Sequence, residues 1–309
     1  MHIALYTHSR LPVEGYGGTQ RVVVWLARGL VELGHRVTLL APAGSRVPEA
    51  ELVALDPGEI LQPGFNLTPW LPASVEILHA HGPVRVPPDH PHVFTLHGNL
   101  RPGRIPPPNT IFLSADHARR HGGTAFVYNG VDRSEFVCRP EKADYDLFLG
   151  RLHTVKGYRW AIQGAKRSGR SIVVAGGWRP SLSRRVRFVG NVDGDRKAAL
   201  LAGARCLWMP ALWDEPFGLT LVEALMSGTP VLGTRRGALP EVVSNEVGAL
   251  GDTLDELVAL RSSVELCDPH ACRRRAERWF SHTTMAEEYL RMYRHYLAAG
   301  KLPAGRLAV

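Results

Sequence analysis

Glu215 and Glu223 are the two carboxylates of a stretch, residues 213–231, whose pattern predicts a loop, then a helix, then a strand. Pro216 and Gly218 predict the turn, and the apolar residues that follow recur at helical spacing. Free N–H groups and the positive dipole end at the start of this helix favour a phosphate. Glu223, about one turn further along the helix, is placed to accept the two hydroxyls of a ribose. The spacing therefore predicts a nucleotide-binding geometry.

A second stretch carries two cations beside a predicted strand end. Residues 145–149 are typical of a buried strand and residues 158–167 of a helix, and the loop between them contains Arg151 and Lys156. An arginine fork and a lysine ammonium both suit a diphosphate. Standing alone, this pair would be interpreted as two ordinary surface cations. On the same sheet edge as the two glutamates, it predicts a diphosphate site.

These two stretches resemble motifs of a known family. Glu-Pro-Phe-Gly-Leu-Thr-Leu-Val-Glu-Ala-Leu-Met-Ser-Gly-Thr-Pro-Val, from Glu215 to Val231, resembles the Glu-x7-Glu signature of retaining family 4 glycosyltransferases. Residues 150–157 resemble the family's Gly-Arg-x-x-x-x-Lys-Gly motif. The alternative for the first stretch is a surface helix with two solvated glutamates.

The resemblance implies the α/β GT-B fold: two Rossmann-like domains facing across a cleft, with a C-terminal helix that crosses back to the first domain. The implied reaction moves a sugar from a nucleotide-sugar donor to an acceptor hydroxyl with retention at the anomeric carbon. Arg151, Lys156 and the N–H groups at the helix start would neutralise the diphosphate, Glu215 would contact the sugar, and Glu223 would anchor the ribose. The expected catalytic residues are Glu215, His97, Arg151 and Lys156. The expected donor-binding residues are Gly17, Gly18, Arg151, Lys156, Glu215, Phe217, Gly218, Leu219, Thr220 and Glu223.

The first half of the chain contributes a glycine pair and two histidine sites. Gly15-Tyr16-Gly17-Gly18 lies between a predicted strand, 2–8, and a predicted helix, 19–33. That arrangement places an anion at a helix start, although a tight turn explains the glycines equally well. By resemblance, Gly17-Gly18 faces the donor diphosphate and the acceptor, and His97, in a Thr-x-His motif, lies beside the donor sugar. His81 is a second candidate, on the acceptor side. No functional role is given to His2, His8, His90, His92, His117 and His121.

Turn signals divide the chain. Asn129-Gly130-Val131-Asp132 resembles the end of the family's first domain, and a polar stretch follows at 138–143. Residues 1–140 are predicted to form the N-terminal domain, 141–283 the donor domain, and 284–309 a crossing helix and tail on the first domain. The first domain is short for the family, so its acceptor-binding elements are expected to be trimmed or rebuilt.

Other elements are predicted from apolar periodicity. Strands are predicted at 36–41, 75–79, 92–96, 110–113, 125–128, 172–175, 186–189 and 206–209, and helices at 196–203, 255–262, 271–280 and 284–298. The aromatic residues of the last helices, Trp279, Tyr289, Tyr293 and Tyr296, are expected to pack in the core.

Charge and composition limit the partners. The 309 residues carry 37 lysines and arginines against 29 aspartates and glutamates, a net charge of +8 that favours anionic partners. The basic clusters are short and scattered, so no nucleic-acid partner is expected. No apolar run could span a bilayer, and the N-terminus is typical of a strand rather than a signal peptide. We expect a cytoplasmic protein, compatible with peripheral contact with a membrane.

No metal and no cofactor is expected, because two cations and a helix terminus already neutralise the diphosphate. The four cysteines lack the paired spacing of a zinc site, and no Asp-x-Asp pair is interpreted as a metal ligand. The acceptor, whether a sugar, a glycolipid or a small molecule, stays open, as do the base and sugar of the donor. Three other functions stay open too: a catalytically silent GT-B protein that binds nucleotide sugars, a phosphorylase, and a nucleotide-sugar epimerase.

Overall fold

The computed structural model describes residues 1–13, 15, 17–87 and 89–308, which form two compact units. Unit 1 comprises Met1–Gly130 and His282–Leu307, and unit 2 comprises Val131–Ser281 with Ala308. The chain thus leaves unit 1 after residue 130 and returns to it at residue 282, whereas the boundaries predicted from the sequence follow residue 140 and precede residue 284. Tyr16 of the predicted glycine-rich loop and Val309 of the predicted tail lie outside the described residues.

The elements of the described chain alternate between strands and helices. The strands are β1 His2–Tyr6, β2 Arg36–Pro42, β3 Glu51–Leu55, β4 Ile77–Ala80, β5 His92–Thr95, β6 Thr110–Ile111, β7 Asp146–Leu149, β8 Ile172–Ala175, β9 Val186–Phe188, β10 Leu207–Met209, β11 Val231–Thr234 and β12 Gly248–Gly251. The α-helices are α1 Gly18–Glu32, α2 Ala115–Arg120, α3 Tyr158–Arg167, α4 Gly194–Gly203, α5 Leu219–Met226, α6 Leu239–Val242, α7 Leu254–Val264, α8 Pro269–Phe280 and α9 His282–Ala299. Short 3-10 helices occupy Thr68–Trp70, Arg133–Glu135 and Thr154–Lys156.

Each unit is built on a six-stranded parallel sheet, with the order β3-β2-β1-β4-β5-β6 in unit 1 and β12-β11-β10-β7-β8-β9 in unit 2. The strand order reverses between β1 and β4 in the first sheet and between β7 and β10 in the second. Open parallel sheets bind ligands beyond the carboxyl ends of their strands at such a reversal. The topology therefore marks one candidate ligand edge in each unit.

The unit 1 sheet is covered on both faces: helices α1 and α9 lie on one side, and a buried cluster that includes Tyr6, Ile60 and Leu67 lies on the other. Strands β1 and β4 are buried along their whole length, as expected of parallel strands covered on both faces. A Cβ on Gly29 of α1 would lie 2.6 Å from the carbonyl oxygen of His282, so the glycine allows α9 to approach closely. Tyr289 and Tyr293 of α9 are fully buried, which confirms that they pack in the core.

In unit 2, a buried ion pair joins three elements. Asp146 on β7 accepts hydrogen bonds from Arg261 Nε on α7 at 2.7 Å and from Trp208 Nε1 on β10 at 2.8 Å. Asp146 is fully buried and Arg261 is 2% exposed. Since every partner of this carboxylate is a structural contact, Asp146 stabilises the sheet and is not available for a ligand.

Several element predictions were wrong or incomplete. Residues 125–128 form a single bridge, between Phe126 and Phe112, rather than a strand. Pairing at this edge of the sheet is confined to two backbone hydrogen bonds, one through the N–H and one through the carbonyl of Phe112. The sequence analysis also missed α2, β3 and β12. Strand β3 carries an apolar run, Leu-Val-Ala-Leu, that the sequence analysis did not interpret as a strand, and it is largely exposed. Strand β12 begins at Gly248, where a Cβ would lie 2.1 Å from the Val231 carbonyl oxygen. The close packing of β12 on β11 therefore requires glycine, a residue that is rarely typical of a strand in a sequence pattern.

Candidate functional site

The loops that follow β7 and β10 meet at the ligand edge of unit 2. The backbone N–H of Leu212 donates to the carbonyl of Val155 at 2.8 Å. Gly157 has φ +72, and a Cβ there would lie 1.8 Å from the carbonyl oxygen of Pro210. Only glycine combines this backbone conformation with this contact. The two loops are therefore held together immediately next to Lys156.

Lys156 and Glu215, each predicted from a separate motif, form an ion pair. Lys156 Nζ lies 2.6 Å from Glu215 Oε2, and the two side chains are 15% and 10% exposed. The same oxygen accepts a hydrogen bond from Trp213 Nε1 at 2.9 Å, and Lys156 Nζ lies 4.7 Å from the centre of the Trp213 ring. The sequence analysis gave Trp213 no role, yet it orients the carboxylate. A carboxylate fixed by two donors is a preorganised electrostatic group.

Gly237 positions the backbone of Glu215. Gly237 has φ +59, and a Cβ there would lie 2.3 Å from both the nitrogen and the oxygen of Glu215. The next residue, Ala238, donates its N–H to the Glu215 carbonyl at 2.9 Å. The turn before α6 thus holds the backbone of Glu215 in place, and this turn comes later in the sequence than Glu215, whereas the Lys156 loop comes earlier. Glu241 lies in the first turn of α6, where the positive end of the helix dipole favours a carboxylate.

The amino terminus of α5, at Leu219, lies three residues after Pro216. Gly218, with φ +85, precedes the helix, and no described side chain caps it. Its first N–H groups, near Leu219 and Thr220, are therefore open to an anion. Phe217 is 1% exposed and packs edge-on against Phe280 with ring centres 5.9 Å apart. Of the predicted donor contacts, Phe217 can thus contribute only its backbone.

Glu223, the predicted ribose anchor, is 4% exposed and lies inside α5. Its Oε1 accepts from Lys197 Nζ on α4 at 2.7 Å, and no described residue donates to its Oε2. Lys197 Nζ also lies 5.4 Å from the ring of Phe136. The sequence analysis missed Lys197, although a signal existed: lysine is rare in this arginine-rich chain, occurring only at positions 142, 156, 166, 197 and 301. Arg151, the second predicted cation, is exposed at the carboxyl end of β7.

In unit 1, the two predicted histidines lie in contact. His81 follows β4, His97 follows β5, and His81 Nδ1 lies 2.8 Å from His97 Nε2. His79 packs against the His81 ring with centres 4.0 Å apart. His79 in turn bonds Tyr293 Oη at 2.6 Å and Thr95 Oγ1 at 2.7 Å. The sequence analysis named His97 and His81 as separate candidates and predicted neither their contact nor the link to α9.

Burial keeps these histidines neutral. It lowers the pKa of His97 to about 4, and it lowers the pKa of His79 and of His81 well below the usual range. One ring of the His81–His97 pair therefore donates a proton to the other's lone pair. At neutral pH, His97 can therefore exchange hydrogen bonds but carries no positive charge.

Gly17 and Gly18 lie at the start of α1. The helix begins at Gly18, and no described side chain caps it. A Cβ on Gly17 would lie 2.7 Å from Val13 Cγ2, so glycine is required here by close packing. The glycine pair therefore leaves an open helix terminus at the ligand edge of unit 1.

The described residues contain no group of three or more His, Cys, Asp or Glu side chains arranged to hold a metal ion. Two Asp-x-Asp strings occur in the chain. One ends in the buried Asp146, and the other, Asp193-Gly194-Asp195, is exposed at the start of α4. Within the same described ranges, no helix combines the length and the apolar character needed to cross a membrane.

Family models and relatives place the chain among known proteins. Residues 16–145 match the model for Glycosyltransferase Family 4, and residues 144–265 match the model for Glycosyl transferases group 1. A phosphatidyl-myo-inositol mannosyltransferase of Mycobacterium leprae is 28% identical over 92% of this chain and 94% of its own.

Solved structures agree with the sequence relatives. AviGT4, a glycosyltransferase involved in avilamycin A biosynthesis, is 30% identical, covers 98% of this chain and 99% of its own, and gives a TM-score of 0.81. Anabaena Alr3699/HepE in complex with UDP-glucose is 17% identical, covers 94% of this chain and 98% of its own, and shares the fold with a TM-score of 0.66. The two parallel sheets match the fold that the motifs predicted. The chain belongs to the family 4 glycosyltransferases and has the GT-B fold.

Proposed function

We propose that this glycosyltransferase moves a sugar from a nucleotide-sugar donor to an acceptor hydroxyl, with retention at the anomeric carbon and without a metal ion. One observation carries the proposal. The Lys156–Glu215 pair, at 2.6 Å, lies at the strand-order reversal of unit 2, and Glu215 belongs to the loop that leads into the uncapped start of α5. A cation, an anion and free N–H groups at one sheet edge suit a reaction that separates charge.

The charges match the two halves of such a transition state. Breaking the bond from sugar to phosphate leaves negative charge on the diphosphate and makes the sugar oxocarbenium-like. Lys156, Arg151 and the N–H groups of residues 218–220 would stabilise the leaving diphosphate. Glu215, held by Lys156 and Trp213, would hydrogen-bond the sugar hydroxyls and face the developing cation.

Glu223 suits the ribose of the donor. Because Lys197 binds Oε1, the second oxygen is the one that would accept the ribose hydroxyls, about one turn into α5. The HepE structure contains UDP-glucose, which makes UDP-sugars the first donors to try. His97, neutral at pH 7, and Gly17-Gly18 are the unit 1 residues that the family resemblance assigns to the donor.

The acceptor is a sugar, a glycolipid or a small molecule. The relative named phosphatidyl-myo-inositol mannosyltransferase supports a glycolipid, which would bring this protein to the surface of a membrane. AviGT4, named for antibiotic biosynthesis, supports a small molecule. We expect the protein to act in the cytoplasm in either case.

A thermal-shift panel of UDP-, GDP-, ADP- and dTDP-sugars tests the donor, because at equal concentration a tighter ligand stabilises the folded state more. With the donor found, Glu215→Gln should lower kcat more than donor affinity, and Glu223→Ala should weaken donor binding first. Transfer that survives both substitutions would show the site assignment to be wrong. Donor binding with neither transfer nor hydrolysis would identify the catalytically silent alternative.

Metal independence is tested separately. Transfer should continue in EDTA, because cationic side chains and backbone N–H groups would neutralise the diphosphate. Loss of transfer in EDTA with recovery on adding Mn²⁺ would refute this part of the proposal.

A further inference from the structure

A cavity of about 490 Å³ opens in unit 1 beside the strand-order reversal of its sheet. It is lined by His8, which follows β1, by residues 83–85, which follow β4, and by residues 60–64. Its volume is within the roughly 300–1,000 Å³ of small-molecule sites. We propose that this cavity binds the acceptor, and that the acceptor joins an apolar group to a phosphate or carboxylate. The inference rests on the proposed function, and it assigns the half of the reaction that the motifs left open.

The walls of the cavity are tied to each other and to the core. Arg85 donates its N–H to the carbonyl of Phe65 at 2.9 Å, and Leu67 donates to the carbonyl of Arg85 at 3.1 Å. Ile60 is 3% exposed and Leu67 is fully buried in the core beneath. Backbone bonds and buried anchors thus hold the two rims apart at a fixed distance, as a preformed site requires.

His8 borders the cavity because of Gly82. A Cβ on Gly82 would lie 2.3 Å from His8 Nδ1, so a side chain at position 82 would displace the imidazole. The sequence analysis gave His8 no role. Its position at the carboxyl end of β1 now gives the cavity a polar group where open sheets bind ligands.

The remaining lining is apolar apart from the amide of Gln62 and one cation, Arg85. Leu61 is 69% exposed at the rim, and Val84 lines the opposite wall. Arg85 is exposed, and its guanidinium makes no hydrogen bond or ion pair with any residue that the structure describes. An arginine fork pairs with phosphate or carboxylate oxygens, while Leu61 and Val84 would cover an apolar group. The complementary ligand therefore has an anionic end and an apolar body.

Octyl phosphate is a suitable probe, used below its micelle concentration in calorimetric titrations. The protein should bind one octyl phosphate per chain more tightly than it binds inorganic phosphate or uncharged octyl glucoside. Arg85→Ala should weaken this binding about tenfold or more, the loss expected when a charge-assisted hydrogen bond is removed. Arg85→Lys should recover part of it, and Leu61→Gln should also weaken it. The Arg85 backbone bonds are kept in both Arg85 variants, and thermal melts verify that each is folded.

Arg294 is the matched control. It is an exposed arginine of the same unit, on α9, near His35 at the opposite, amino-terminal side of the sheet. Arg294→Ala should bind octyl phosphate like the unchanged protein. Phosphatidylcholine vesicles containing phosphatidylglycerol distinguish the source of the ligand: vesicle binding that depends on Arg85 would place the acceptor in a lipid, and octyl phosphate binding alone would place it in solution.

Equal binding of octyl phosphate by the unchanged protein and by Arg85→Ala would overturn the proposal. So would loss of binding in Lys156→Ala, because the probe would then occupy the donor's diphosphate site. Donor binding measured on the same preparation separates the two hypotheses. If donor sugars bind and octyl phosphate does not, only the cavity assignment fails. If octyl phosphate binds but no donor does, the proposed transfer fails, and the cavity stands as a binding site for an anionic amphiphile but not as an acceptor site.

Discussion

Replacing Lys197 with methionine tests the buried ion pair that holds the predicted ribose anchor. The Lys197 and Glu223 side chains are 9% and 5% exposed, with Nζ and Oε1 2.7 Å apart. Methionine keeps most of the length of the lysine stem but removes the charge. The variant leaves the Glu223 carboxylate buried without its cation, which is the costly way to break such a pair.

The size of the effect follows from this burial. Removing one partner of a buried pair costs about 3–5 kcal/mol, against roughly 5–15 kcal/mol for the whole stability of a typical domain. The loss of the ammonium beside Phe136 adds about 0.5–1 kcal/mol. The double variant, Lys197→Met with Glu223→Gln, leaves no buried charge at this pair. It should recover most of the lost stability, with a free energy of unfolding within about 1 kcal/mol of that of the unchanged protein.

Urea denaturation, followed by tryptophan fluorescence and circular dichroism, measures these differences. Lys166→Met is the control, because Lys166 is an exposed lysine on α3 of the same unit. It should change the unfolding free energy by less than about 0.5 kcal/mol. A Lys197→Met variant as stable as this control, or a double variant no more stable than Lys197→Met, would refute the reasoning.

Donor binding gives the second readout. The double variant should be folded yet bind the nucleotide-sugar about tenfold more weakly, since Glu223 would lose a charge-assisted hydrogen bond to the ribose. Unchanged donor affinity in the stable double variant would show that Glu223 is a structural residue. Stability and function are thereby separated in a single set of proteins.

Two further predictions test other parts of the structure. Unit 1 should lose stability as the pH falls from about 6.5 towards 4, because His97, His79 and His81 have lowered pKa values when folded and bind protons more readily when unfolded. Each contributes a slope of up to about 1.4 kcal/mol per pH unit, so urea midpoints that do not change across this range would contradict it. Gly157→Ala should displace Lys156 and lower transfer about a hundredfold, because its Cβ would meet a carbonyl oxygen at 1.8 Å. Gly169→Ala has the same φ of +72 but open space around it, so its activity should be close to normal, and equal losses in both variants would attribute the effect to backbone strain alone.

Local sequence signals predicted the secondary structure around the candidate site of unit 2 well. The helix at 158–167 and the strand at 172–175 were predicted with the bounds they have in the structure. Gly218 was predicted to lie in a turn and Gly157 to end a loop, and both have positive φ. These features succeed because each depends on short-range chemistry: apolar periodicity, glycine conformations and the end of a strand. Parallel topology then brings the loops after β7 and β10 together, as it does in any open sheet of this order.

Long-range contacts account for what the sequence did not predict. His79 bonds Tyr293, which is 214 positions away in the chain, and no local pattern records such a pairing. Lys197 reaches Glu223 from a different helix, and the cavity at Arg85 depends on a loop whose own pattern is irregular. Packing between distant segments decides all three, so they appear only when the tertiary structure is known.

The few lysines nonetheless carry information that composition alone obscures. In a chain that uses arginine almost everywhere, Lys142, Lys156 and Lys197 each place an ammonium in a confined polar site. Lys142 donates to the Ala202 carbonyl at 2.9 Å and to Thr229 Oγ1 at 3.1 Å, Lys156 binds Glu215, and Lys197 binds Glu223. A compact ammonium fits such sites, whereas a planar guanidinium with five donors needs more space and more partners. Because arginine is the ordinary surface cation of this protein, each confined lysine marks a position where geometry, rather than charge alone, determines the residue. Two of these three lysines hold the carboxylates on which the proposed reaction depends.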